Sequence, residues 1–168
     1  MKTHTYCGFC LLVHWSLSLS LWSEEVSRAE AKLVEQGPVL DGKLDDPCWK
    51  GLSVIKDFRQ RRPNEGFAET EKTEVRLCRD ADFLFVGVRC FDSQPDQIRA
   101  GVMQRDAPVR GDDYFFILID PFSRGRDGYY FRTNANGAKG EALINSDMSR
   151  PKMDWDTIWE VRSQQDDL

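Results

Sequence analysis

Histidine is almost missing from this chain. Its two copies, His4 and His14, both fall near the start, so the rest of the sequence has none. That excludes a Ser-His or Cys-His nucleophile and histidine-ligated zinc from the main body of the protein. A phosphate-cradling loop is missing as well: Gly125-Arg126-Asp127-Gly128 reads as a connection between strands, not as a cradle ahead of a helix. Positive charge is scarce. The 23 Lys and Arg residues against 28 Asp and Glu give a net charge of −5, with a pI near 5.1. This argues against nucleic acid as a general partner, because phosphate binding needs a basic surface, and it leaves neutral ligands such as sugars open.

A long uninterrupted apolar stretch is also lacking. The run 6–22 comes nearest, but His14 and the alternating Ser16, Ser18 and Ser20 make it a poor spanning helix. With Lys2 ahead of it and no acid before Glu24, the run has the layout of a secretory signal. A membrane anchor is the weaker reading. We expect a signal peptide over residues 1–23, with Ala29-Glu30-Ala31 as an alternative cleavage region ending at 31. The protein is therefore expected to be exported, to a periplasmic, outer-membrane-associated or extracellular location. Of five cysteines, Cys7 and Cys10 lie in this segment, and their spacing carries no redox or zinc meaning. Cys48, Cys78 and Cys90 remain. Cys78 and Cys90 flank a hairpin but fall out of register, so all three read as small buried apolar residues.

What is present is a packable β pattern. At 168 residues, with 40% hydrophobic and 30% charged side chains, the chain suits one folded domain. Residues 24–36 are charged without an apolar face and read as a flexible leader, broken by Gly37-Pro38. Residues 72–79 (KTEVRLCR) alternate, with Val75, Leu77 and Arg79 on one side and Glu74, Arg76 and Cys78 on the other. Asp80-Ala81-Asp82 supplies a turn into 83–91 (FLFVGVRCF), completing a hairpin. The run 114–119 (YFFILI) predicts a strand buried on both faces. Further strands are expected at 128–133, 141–144 and 158–162, with one helical turn at 95–100. The fold class is all-β: an antiparallel sandwich of jelly-roll or immunoglobulin-like type over residues 37–168. The segment 158–162 has no closing partner before Leu168, so we expect C-terminal strands beyond this sequence.

The opening of that region is distinctive. Residues 38–49 (PVLDGKLDDPCW) are followed in order by the strand at 73–78, the hairpin arm 82–92, Gly111-Asp112-Asp113 before a strand ending in Asp120-Pro121, and the segment 130–134. This series resembles the family 9-like carbohydrate-binding modules over about residues 38–163. It is most similar to the subgroup in which the domain precedes an outer-membrane-type β-barrel region of unknown function. The resemblance implies a non-catalytic, sugar-binding β-sandwich serving polysaccharide binding or catabolism. Any enzyme, a glycoside hydrolase for example, would be an attached region. The alternative is a structural domain that packs on a downstream membrane barrel of the same full-length chain without binding sugar. The family often carries an aromatic residue where Cys78 stands, so that contact is missing here.

Sugar rings pack on aromatic faces and take hydrogen bonds at their hydroxyls. Trp49 belongs to the opening motif and reads as core, which leaves Trp155 and Trp159 as candidate binding residues, four apart and on one face if the chain is extended. Arg132 and Asn134 share a face of one predicted strand and are candidates for the hydroxyl contacts. The resemblance further implies structural calcium, with Asp41, Asp45 and Asp112 as ligands; read without it, these acids are turn residues. The expected partner is a poly- or oligosaccharide.

Overall fold

Asp80 builds the first hairpin. Its Oδ1 accepts the backbone N–H groups of Asp82 and Phe83 at 2.9 and 2.8 Å, which turns the chain back on itself. On either side the β-branched and aromatic residues pair as antiparallel strands, Thr73–Arg79 and Leu84–Cys90, in the register Cys78 to Phe85 and Val75 to Val88. In this computed structural model, which describes residues 28–145 and 151–166, a short strand Lys32–Leu33 also lies parallel beside Cys78 and Arg79. The strands are β1 (Lys32–Leu33), β2 (Thr73–Arg79) and β3 (Leu84–Cys90), and they form one sheet in that order. The leader expected at 24–36 is thus partly tied down. The export signal expected over 1–23 lies outside the described residues.

A second sheet follows, of β4 (Tyr114–Ile119), β5 (Gly128–Asn134) and β6 (Lys139–Ile144), antiparallel throughout. Its turns are again built by side chains. Asp120 accepts the N–H groups of Phe122 (3.0 Å) and Gly125 (2.6 Å) between β4 and β5. Asn134 Oδ1 accepts those of Asn136 and Ala138 at 3.1 and 3.0 Å between β5 and β6. Single turns of 3-10 helix occur at Pro47–Trp49 and Pro95–Gln97, each opened by proline. The described residues are therefore all-β, in two three-stranded sheets, as the alternating pattern predicts. No helix of the described residues is long and apolar enough to cross a membrane.

Three expectations are corrected, for β4, for residues 158–162 and for the burial of the cysteines. β4 is not buried on both faces: Tyr114, Phe116 and Leu118 stay 49, 49 and 42% exposed while Phe115, Ile117 and Ile119 turn inward. β4 is the edge of its sheet, and its outer side chains meet mainly one another and Tyr130. Residues 158–162 form no strand; after a single bridge from Lys152 to Leu143 and a turn at 153–154 the chain takes no regular structure, with Trp155, Thr157, Trp159 and Val161 half-buried and Ile158 exposed. Of the three cysteines Cys78 is fully buried, Cys48 half-buried and Cys90 exposed, all as free thiols. Burial, with the Cys48 thiol alongside, pushes the Cys78 thiol up to about 11.

The Asp-Gly of the opening motif has a definite task. Asp41 Oδ1 accepts the N–H of Lys43 at 2.9 Å, and Gly42 takes a φ of +92°. A side-chain carbon at Gly42 would stand 3.0 Å from the Ser163 carbonyl carbon and 3.1 Å from the Gln164 nitrogen. Gly42→Ala therefore meets both a disfavoured conformation and neighbouring backbone, and we expect it to lower stability by about 1–3 kcal/mol in urea unfolding. An unchanged midpoint would show that this turn does not carry the 163–164 segment.

Candidate ligand-binding cleft beside Trp49

Because side chains alternate across a strand, Glu74, Arg76 and Cys78 of β2 share a face with Phe85, Gly87 and Arg89 of β3. The segment 44–54 lies over this face. Trp49, only 6% exposed, rests on Gly87: a side-chain carbon there would come within 3.0 Å of the indole ring and 2.9 Å of Leu44. Glycine at this point is what lets the ring approach the sheet. Beside the ring a cleft of about 460 Å³ opens, walled by Trp49 and Phe91 and lined by Lys50, Glu74, Arg76 and Arg89. That volume lies in the range of small-molecule sites, roughly 300–1,000 Å³.

Its polar groups are unevenly satisfied. Glu74 is paired with Arg76 at 3.0 Å and Lys72 at 2.5 Å, and these cations hold its carboxyl below the usual range, with burial opposing them. Arg89 reaches Asp166 through Nη2 at 2.8 Å and lies over the Phe91 ring. Its Nε, and Trp49 Nε1, are buried donors with no hydrogen-bond partner among the described residues. Each such group carries a desolvation cost of roughly 1–3 kcal/mol. Sequence reasoning placed Trp49 in the core, which is right for its ring, and missed its neighbours. Charges at alternate positions of a hairpin following the Trp49 motif were the available signal.

The four candidate sugar-binding residues do not converge. Trp155 stacks on Tyr129 at 5.1 Å between centroids and meets Phe131 edge-on, and Trp159 meets Phe131 edge-on at 5.4 Å. Both are half-buried against the odd-numbered side of β5. Arg132 and Asn134 occupy its other side. Arg132 donates to the carbonyls of Ala107 (3.0 Å) and Asp106 (3.4 Å), lying across Gly140. Asn134, 3% exposed, spends its Nδ2 on Val102 O and Asp112 Oδ2, while its Oδ1 holds the β5–β6 turn.

Of the three acids named for calcium, Asp112 is the one committed to several partners. Asp112 accepts from the N–H groups of Gly101 (3.1 Å) and Val102 (3.0 Å) and from Asn134. Asp41 and Asp45 are exposed. Among the described residues, the one group of three acids with oxygens mutually within 4.8 Å is Asp106, Glu141 and Asp156, and it contains none of the three calcium candidates. Arg105 already stands among these acids, paired with Glu141, with Asp156 at 3.1 Å and with Asp106 at 3.6 Å. One guanidinium thus pairs with all three of these acids, at a place in the fold other than the one the resemblance implies for calcium.

The backbone N–H of Val102, then Asn134 and Gly101, hold the Asp112 carboxyl below its ordinary range. Asp120 is lowered the same way, first by Gly125 N–H. A depressed folded-state value means that the stabilisation is complete above the unfolded carboxylate range, near about 4, and is lost as pH falls through the folded value. Stability should therefore hold from neutral pH to about 4 and fall below it. Asp112→Asn, which sets an amide donor against Val102 N–H, should lower the melting temperature at pH 7 and flatten the acid-side loss. An acid limb identical to that of the parent would remove Asp112 from this role.

No family model, no curated protein and no solved structure matches this chain.

Proposed function

We propose that this is a non-catalytic carbohydrate-binding domain of an exported protein that binds poly- or oligosaccharides, with the cleft beside Trp49 as its site. The observation that carries the reading is the cleft itself: aromatic walls from Trp49 and Phe91, charged hydrogen-bonding groups from Glu74, Arg76 and Arg89, and two buried donors lacking partners. Pyranose rings offer apolar C–H faces to aromatic walls and hydroxyls to such groups. The resemblance of residues 38–163 to the family 9-like modules points the same way.

The test is a glycan-binding screen of the full chain, with and without calcium, followed by titration calorimetry on the hits. Binding should weaken about tenfold, or ~1.4 kcal/mol, in Phe91→Ala and in Arg76→Ala. It should not depend on calcium. Hits whose affinity ignores both substitutions would move the site away from this cleft.

A second reading has its own observation. The exposed Tyr114, Phe116 and Leu118 of edge strand β4, with Phe122 at 65% exposure beyond them, form an apolar face suited to packing against another element. A well-folded chain that binds no glycan would favour this structural role, including packing against a downstream membrane barrel.

A further inference from the structure

Resting on the sugar-binding reading of the cleft, we propose that it selects acidic saccharides, with the sugar carboxylate held by Arg89. The lining carries three cations, Lys50, Arg76 and Arg89, against one acid, Glu74, in a chain whose overall charge is −5. Glu74 is occupied by Lys72 and Arg76. The local field is therefore positive where the rest of the molecule is negative, which favours an anion at this place.

Arg89 shows how the anion would be held. The Nε and Nη2 hydrogens of a guanidinium form a fork that matches the two oxygens of a carboxylate. Here the fork is half used. Nη2 binds Asp166 Oδ2 at 2.8 Å, while Nε is buried without a partner among the described residues. Asp166 is 62% exposed, so it holds Arg89 as a surface pair of little strength. A ligand carboxylate arriving side-on takes both hydrogens and displaces Asp166. Its sugar ring then lies toward Phe91 and Trp49, which line the same cleft.

The experiment is titration calorimetry of the full chain with a galacturonic acid tetrasaccharide and with its methyl-esterified counterpart, which keeps the sugar skeleton and removes the charge. The acid should bind about tenfold tighter or more, the scale of a charge-assisted hydrogen bond. Arg89→Gln should abolish that preference, and Asp166→Asn, by freeing Arg89, should strengthen acid binding. If Arg89→Gln fails to fold by circular dichroism, Asp166→Asn decides alone: tighter acid binding supports the proposal and unchanged affinity overturns it. Equal affinity for acid and ester overturns the carboxylate selectivity and leaves the sugar reading standing. Binding of neither, nor of any neutral oligosaccharide, overturns both.

Discussion

Trp49→Ala should cost about 3–5 kcal/mol of folding stability, the largest single effect we expect in this chain. The ring is among the few well-buried apolar side chains, which otherwise include Val75, Cys78, Ala142 and Ile144. It also fits against Gly87 at near-contact distance, so nothing else can fill the space it leaves without the 44–54 segment moving. Trp49→Phe gives the contrast. It keeps most of the apolar surface and deletes the Nε1 donor that has no partner, so its loss should stay below about 1.5 kcal/mol. Urea unfolding followed by circular dichroism separates the two. Equal losses would mean that the indole nitrogen has a partner after all; a small loss for alanine would mean that the 44–54 segment is not anchored by this ring.

Glu141→Leu should cost about 2–4 kcal/mol. Glu141 is fully buried on β6, opposite Phe131, and its carboxylate accepts Trp159 Nε1 at 3.0 Å as well as Arg105. From the same side of β6, Lys139 Nζ donates to the Trp159 carbonyl at 2.9 Å. Leucine fills the volume but leaves the indole N–H without an acceptor. Arg105 suffers less, because Asp106 and Asp156 remain beside it. Glu141→Gln retains an acceptor for Trp159 and should lose less. Denaturation would give the magnitude, and limited proteolysis the location: cleavage within 152–163 should rise in Glu141→Leu before the rest of the chain unfolds. Uniform sensitivity along the chain would show that Glu141 supports the whole sheet and not the Trp159 segment.

Most strands were legible because the information that makes them is local. The alternation in 72–79 and the Asp80 turn need no distant partner, and the same is true of Asp120 and Asn134 between the later strands. Even spacing likewise put Trp155 and Trp159 on one face of their own segment, and Arg132 with Asn134 on one side of β5; the structure lays the first pair against Phe131 of β5. That these are opposite sides depends on how residues 99–112 and 155–163 pass over the sheet, which no short window contains. Lys32–Leu33 pairs with residues more than forty positions away and carries no signature of its own. The apolar run of β4 could not announce that one face would stay open. The cleft was hidden for a related reason. Glu74, Arg76 and Arg89 look like the solvated side of an ordinary hairpin until the 44–54 segment is laid across them.

The approach of Gly42 to Ser163 and Gln164 has a consequence for the order of assembly. The β2–β3 hairpin and the β4–β5–β6 meander close over short separations and can form as soon as each has emerged from the ribosome. The Asp41-Gly42 turn, though made early in synthesis, meets its packing partner only after some 120 further residues have been added. Until then only local bonds hold this turn, so its contact with residues 163–164 is among the last of the domain to form, although the residues on either side of it can pack on β2 and β3 much sooner.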